Sequence, residues 1–320
     1  MKQFWKDVAF SCIMGLIIPA MILSVGVAMF GKEATETEPT VTHIVQQRQD
    51  PVIPVLTHQG IQEMGLSEYL TGVVLAEMPA SFEPDALKAQ AVVARTYTMR
   101  AHQGSSKHEE ASVCTDSACC QGYRSAEDYF ANGGTEENYQ KIRKAVLETD
   151  GYVLTYGGEL IEATYFSCSG GITEDAVAVW GTDVPYLQSV ESPGEEGATH
   201  YTDTVTFSSD EFRKRMSIDS GEEPSRWIGT VTHTGGGGVD TIEIAGKAYR
   251  GTEIRKLLGL RSTAFDIRYE NDTFTITTRG YGHRVGMSQY GADAMAASGS
   301  GFEEILAHYY QGTRLEQMND

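Results

Sequence analysis

The chain has 320 residues, with 25 Lys and Arg against 44 Asp and Glu for a net charge of −19, and 41% of its residues are hydrophobic. That length gives one large domain or two modest ones, with enough apolar side chains for a core that needs no staples. The acidic balance argues against a nucleic-acid partner, because such a face needs cations to displace counterions, and 16 Tyr with 11 Phe argue against a largely disordered chain.

The N-terminal end is unusual. Val8 to Gly31 is an uncharged run of 24 residues, longer than the ~20 that cross a hydrocarbon core. A cleaved signal peptide would carry an apolar core of ~7–15 residues, so the run reads as a single membrane anchor, in which Pro19 is tolerated. Lys2 and Lys6 precede it and Lys32, Glu33, Glu36 and Glu38 follow. The positive-inside rule therefore predicts a cytoplasmic tip (residues 1–31 with the anchor) and an extracytoplasmic remainder. Residues 32–56, with Pro39, Pro51 and Pro54, read as a spacer ending in a first strand near Val52–Leu56.

Beyond the spacer the pattern predicts an α+β ectodomain over residues 57–312 and a short tail, 313–320. A first helix starts with Ser67 as N-cap and Glu68 in its first turn, and stops before Pro79. A second opens at Pro84 and runs to the end of ALKAQAVVARTYTMRA. Residues 103–135 read as loop, and a third helix covers Thr135–Glu148. After Gly151 the texture changes to short runs between glycines. YVLTY, LIEATYF, Tyr201–Phe207, Trp227–Thr234, Thr241–Ile244, Phe265–Tyr269 and Thr273–Thr278 read as strands, with Gly235–Gly238 at a hairpin tip. Short helices at Glu211–Met216 and Gly251–Leu258 suggest a small subdomain inserted at about 205–260, and a last helical stretch follows Met287 to Tyr310.

Three clusters carry chemistry. Glu77 ends an apolar helix two residues before a proline; a carboxylate there is partly buried, which suits it to give up a proton near neutral pH. On the next helix Lys88 and Arg95 are seven residues apart and share a face, from which they can hold a polar substrate or orient Glu77. The segment from Gly280 to Gly291 is dense in glycine, which permits close backbone approach to a ligand and leaves His283, Ser288, Gln289 and Tyr290 as polar contacts. His108, Cys114, Cys119 and Cys120 offer one imidazole and three thiols. Their spacing fits a closed structural zinc site and a disulfide equally well, with His102 as a reserve ligand. Within Tyr165-Phe166-Ser167-Cys168-Ser169, no base stands beside Cys168, so Ser167 or Ser169, with Tyr165, is read as a substrate contact.

The segment LSEYLTGVVLAEMPASFEPDALKAQAVVARTYTMR (66–100) resembles the stage II sporulation protein D family, membrane-anchored lytic transglycosylases of endospore-forming bacteria. YFSCSGG (165–171), VWG (179–181), PYLQSVESP (185–193) and GHRVGMSQYGA (282–292) resemble the same family in the same order. The resemblance implies Glu77 as catalytic acid/base and Lys88 and Arg95 as supporting residues. It places the glycine-rich segment at the substrate groove, although the family commonly has glycine where this chain has Arg284. It also favours structural zinc on a His-x5-Cys-x4-His-Cys loop in which Cys119 here replaces the second histidine.

The activity so implied is cleavage of denuded peptidoglycan glycan strands between N-acetylmuramic acid and N-acetylglucosamine, leaving 1,6-anhydro ends. One carboxyl group suffices because the muramic 6-hydroxyl attacks its own anomeric carbon, whereas hydrolases use two. The implied partners are a sporulation amidase, stage II sporulation protein P, and a membrane scaffold, stage II sporulation protein M. The implied setting is the intermembrane space of the sporulating cell, where the septal wall is thinned during engulfment. Relatives described as amidase enhancers supply the alternative of a non-catalytic glycan-binding module, in which Glu77 would be dispensable. A zinc hydrolase centred on His108 would need an open coordination position.

Overall fold

A computed structural model describes residues 49–318. The expected membrane anchor and most of the spacer lie outside these residues; no described helix is long and apolar enough to cross a membrane. In chain order the elements are strands β1 (Val52–Thr57) and β2 (Gly60–Gly65), helices α1 (Leu66–Glu77) and α2 (Pro84–Arg100), strand β3 (Val113–Cys114), and helices α3 (Ala126–Ala131) and α4 (Glu136–Glu148). Strands β4 (Tyr152–Tyr156), β5 (Glu159–Leu160) and β6 (Tyr165–Phe166) follow, then helix α5 (Ala176–Trp180) and strand β7 (Thr202–Ser208). Next come α6 (Ser209–Met216), β8 (Ile228–His233), β9 (Val239–Ile244), β10 (Lys247–Arg250) and α7 (Gly251–Leu258). The chain closes with β11 (Phe265–Glu270), β12 (Thr273–Arg279), β13 (Met287–Ser288), α8 (Gln289–Ala297), α9 (Phe302–Tyr309) and β14 (Arg314–Gln317).

The mixed α+β class follows from a central helix. Pro84 starts α2 with its φ already helical and no amide to waste. Ala86, Ala89, Ala91 and Ala94 are fully buried, and side chains this small let neighbouring elements approach the helix on several sides. Helices α1, α4, α8 and α9 and strand β4 pack against it. Leu70, Val73, Val74, Leu87, Val92, Ile142, Leu306 and Tyr310 belong to the resulting core. Around it lie two small sheets, β2-β1-β3 and β14-β4-β5.

A second buried cluster runs from Phe207 to Ile276. It is covered by two antiparallel three-stranded sheets, β10-β9-β8 and β11-β12-β7. Its centre is a stack of aromatic rings, Phe212 on Phe274 at 4.1 Å and Trp227 on Phe274 at 5.7 Å, an offset arrangement that adds to simple area burial. Gly235–Gly238 form the tip between β8 and β9.

Some boundaries differ from the sequence reading, each for a local reason. Helix α1 begins at Leu66 after Gly65, because Ser67 is spent elsewhere: its amide and hydroxyl both donate to Asp50 Oδ1, at 3.0 and 2.9 Å. LIEATYF is not one strand, because Thr164 N–H turns back onto Glu162 O. The last helical stretch is broken between α8 and α9 by Ser298–Gly301, where Gly299 takes φ +100°. Residues 103–135 contain β3 and α3 in addition to loop.

Two pairings position the site. Strands β6 and β13 run parallel, matching Met287 to Tyr165 and Ser288 to Phe166, so Ser167 and Gln289 emerge side by side. Cys168 and Tyr281 exchange both backbone hydrogen bonds, at 3.2 and 2.7 Å, which brings the glycine-rich segment alongside.

Candidate active site

Met78 leaves the helix in an extended conformation, so Glu77, the last residue of α1, projects at the helix end. It is half-buried. Its Oε1 accepts the Gly122 amide at 2.8 Å, and Gln289 Nε2 donates to Oε2 at 3.4 Å. Two connected hollows meet at this residue. The smaller, about 370 Å³, has Phe82, Arg124, Thr199, His200 and Tyr290 in its wall. The larger, about 760 Å³, includes Tyr97, Gln121, Tyr165, Trp180 and His283. Glu77, Ser167, Tyr281 and Gln289 border both, so the carboxylate stands at the waist of one continuous groove.

The neighbouring groups favour donors around that carboxylate. Burial, and then the Glu77 charge, pushes the Tyr165 phenol well above its ordinary value, so it stays protonated; it donates to Gln121 Oε1 at 3.3 Å. Burial and then Arg255 lower the His283 imidazole to about 4, leaving it neutral at physiological pH. Its Nδ1 accepts the Val285 amide at 3.1 Å, which leaves the proton on Nε2. The ring lies against Phe166 and Trp180, with centroids 5.6 and 5.4 Å away. Tyr290 meets Phe82 edge-on at 4.9 Å and donates to Thr199 Oγ1 at 3.3 Å.

Six of the ten site residues expected from sequence therefore border the groove: Glu77, Tyr165, Ser167, His283, Gln289 and Tyr290. The other four do not. Lys88 pairs with Glu148 at 2.9 Å. Arg95 is 1% exposed and donates to Val146 O and Thr149 O, at 2.9 and 2.6 Å; it caps carbonyls at the C-terminal end of α4, where a cation is favoured. Ser169 is buried, with amide and hydroxyl on Glu195 Oε2 at 2.7 and 2.8 Å. Ser288 is the N-cap of α8, accepting the Gly291 amide at 3.1 Å.

Sequence reasoning had no signal for Gln121, Gly122 and Arg124, which lie in the segment read as loop, or for Thr199 and His200, which lie between the quoted motif ending at Pro193 and the strand expected from Tyr201. Trp180 and Tyr281 stood inside quoted motifs, and their exposure, 45% and 37%, is what marks them as groove residues.

His108, Cys114, Cys119 and Cys120 converge, with all four ligand atoms within 4.8 Å of one another. His108 Nε2 lies 3.7 and 3.5 Å from the Cys119 and Cys120 sulfurs, which are 3.9 Å apart. A tetrahedral ion with bonds of about 2.3 Å to sulfur and 2.0 Å to nitrogen demands donor separations of about 3.5–3.8 Å. Those among His108, Cys119 and Cys120 come close to this, and Cys114, within 4.8 Å of the others, is placed to be a fourth ligand of a metal ion. None of the four described cysteines is in a disulfide. His102 is not a ligand; its Nδ1 lies 2.8 Å from Ser112 Oγ. Cys120 borders the larger hollow, and Gly122, the donor to Glu77, follows two residues later.

Arg284 sits at φ +68°, in the left-handed region that favours glycine, and is 1% exposed. Its side chain compensates: Nε donates to Ser169 O at 2.6 Å, Nη2 to Ile172 O and Gly236 O at 2.7 Å each, and Nη1 to Glu174 Oε1 at 3.2 Å. Glu174 in turn accepts the Gly238 amide and the Thr234 hydroxyl, at 2.9 and 2.7 Å. The glycine tip of the second cluster is thus tied to the segment that carries His283.

This is an α+β protein with one carboxylate at the waist of a long open groove, and comparison with known proteins gives its kinship. Residues 57–156 match the family model described as "SpoIID: Stage II sporulation protein". The stage II sporulation protein D of Bacillus subtilis (strain 168) is 38% identical over 333 residues, covering 99% of this chain and 96% of the relative. That of Bacillus amyloliquefaciens is 39% identical, covering 89% and 83%. An amidase enhancer of B. subtilis (strain 168) is 30% identical, covering 77% of this chain and 40% of the relative. The chain belongs to the stage II sporulation protein D family. This membership supports a sporulation role connected with the cell wall.

Proposed function

We propose that the chain is a peptidoglycan lytic transglycosylase, held at the cell membrane by residues 8–31 and working outside the cytoplasm on denuded glycan strands during engulfment. The observation that carries this reading is the groove's carboxylate inventory. Among its described lining residues the carboxylates are Glu77 and Glu162. Glu77 alone borders both hollows, while Glu162 faces Arg100 at 4.0 Å. One central carboxyl group suits a reaction in which the substrate supplies its own nucleophile. Protonated Glu77 gives its proton to the glycosidic oxygen as the bond to the muramic anomeric carbon breaks. The resulting carboxylate, steadied by Gly122 N–H and the Gln289 amide, takes the proton of the 6-hydroxyl as that oxygen closes on the same carbon. The protein ends in its starting protonation state and no water is consumed.

In this reading His108, Cys114, Cys119 and Cys120 hold a structural zinc ion that shapes the groove wall and takes no part in the chemistry. The partners are the amidase and scaffold that the family resemblance implies, stage II sporulation proteins P and M. The amidase-enhancer relative favours a second reading, glycan binding without cleavage. The test is mass spectrometry of denuded strands incubated with the protein and with Glu77→Gln. Anhydro-muramic ends that vanish in the variant bear the proposal out. Products carrying added water would require a hydrolase. Strand binding without cleavage by either protein would favour the enhancer.

A further inference from the structure

The two hollows differ in charge. In the larger one Lys107 lies against Tyr97 at 5.9 Å and donates to Cys119 O, and Glu162 faces Arg100. The smaller one contains Glu77 and Arg124 as its charged groups, with Thr199, Ser167 and His200 as its other polar side chains of note. Among the described residues the Arg124 guanidinium pairs with no carboxylate and donates no hydrogen bond.

Its starting point, however, is held. Arg124 N–H donates to Gly72 O at 3.0 Å. Tyr123 fills the space where a side chain on Gly72 would fall and stacks on Tyr69 at 5.7 Å and 9°. Gly122 N–H is fixed on Glu77. The strap 122–124 therefore presents a solvent-exposed cation without a protein partner in the wall of the hollow that Glu77 also borders, in a chain whose net charge is −19. A guanidinium presented this way matches a carboxylate with two parallel hydrogen bonds and gains little from a neutral amide.

We propose that Arg124 anchors a carboxylate carried by the sugar in the smaller hollow, and so makes the groove selective for strands whose muramic lactyl acid is free. The inference rests on the glycan-cleavage reading. A lactyl ether ends in an anionic acid when bare and in a neutral, bulky amide when a peptide is attached. Placing the acid on Arg124 puts the sugar that is attacked in the smaller hollow. The neutral leaving sugar then lies in the larger one against Trp180 and Tyr281, which fixes the direction of the strand across Glu77.

The test uses the full chain in detergent and soluble strands of two kinds, with lactyl carboxylates free or converted to methylamides. Dissociation constants and kcat/KM are measured for the unaltered protein, Arg124→Gln and Arg124→Lys. The unaltered protein is expected to favour the free acid by ~10–100-fold, chiefly through Kd and KM, as a charge-assisted pair implies. Arg124→Gln should erase that preference while leaving the methylamide strand within about twofold, and Arg124→Lys should keep part of it. Equal affinity of the unaltered protein for both strands overturns the proposal, as does an undiminished preference in Arg124→Gln or an equal loss on both strands. Binding separates the two readings: strands bound selectively but left intact refute cleavage and retain the Arg124 assignment.

Discussion

Arg284→Gly sets two effects of opposite sign against each other. Glycine removes the left-handed backbone cost at φ +68°, about 1–2 kcal/mol for a residue with a side chain. It also removes the partner of Glu174, whose side chain is 1% exposed, and the donors to three carbonyls. Breaking a buried pair from one side costs about 3–5 kcal/mol. The net expectation is a loss of about 1–4 kcal/mol, or ~2–16 °C in midpoint for a domain of this size. Thermal unfolding followed by circular dichroism and tryptophan fluorescence reads both the size and the location, because Trp227 is 1% exposed inside the second cluster. The fluorescence transition should fall at least as far as the dichroism one, since the lost ties run to the Gly235–Gly238 tip. A Glu174→Gln, Arg284→Gly double variant should cost less than the two single changes added together. An unchanged or raised midpoint for Arg284→Gly would show that strain outweighs the pair and refute the reasoning.

Gly122→Ala would place a methyl group 2.9 Å from Glu77 Oε1; displacing that carboxylate should lower strand cleavage ~10–100-fold with little change in unfolding midpoint, and an active variant would count against Gly122 as its positioner. Elemental analysis should find one zinc per chain, and chelation should lower both the midpoint and cleavage, since Gly122 follows the Cys119–Cys120 ligand pair; protein free of metal at full activity would exclude the site. His283 titrates at about 4 in the folded state, below its ordinary 6.5. The unfolded chain therefore takes up the proton first as pH falls, so this contribution to stability is complete above pH 6.5 and is lost toward pH 4. The midpoint of His283→Gln should fall less over that window, and a parallel fall in both proteins would contradict the assignment.

Much of the architecture was readable because its signals are local. The Pro79 stop, the Pro84 start, the alternation in β12 and the glycine tip before β9 act within a few residues. The pieces that escaped depend on partners far along the chain. Strand β3 exists because Cys114 pairs with Leu56, and β14 because Gln317 pairs with Tyr152. Nothing in Val113-Cys114 or Arg314–Gln317 announces those pairings. The groove divides in the same way. Motif segments supplied Glu77, Tyr165, His283 and Gln289, whereas Gly122 and Arg124 reach it through a loop that follows Cys119 and Cys120 and is held on α1, and His200 through a turn built on Glu195 and Ala198.

Lys88 and Arg95 show what periodicity does and does not carry. A seven-residue spacing puts two side chains on one helix face, and the structure agrees: Lys88 meets Glu148 and Arg95 meets Val146 and Thr149, all in or beside the last turn of α4. The face looks at a neighbouring helix and away from both hollows. On an exposed surface helix a shared polar face looks outward, to solvent or to a ligand. Helix α2 has neighbours on several sides, so the same pattern equally well marks a capped and charge-paired helix end. An arginine buried to 1% exposure with its guanidinium on backbone carbonyls is the answer packing gives to that ambiguity, and it makes Arg95 a determinant of where α4 ends. The position of Glu77 is then secured by a different set of contacts, the Gly122 amide and Gln289, brought in by the loop that follows Cys119 and Cys120 and by the β6–β13 pairing.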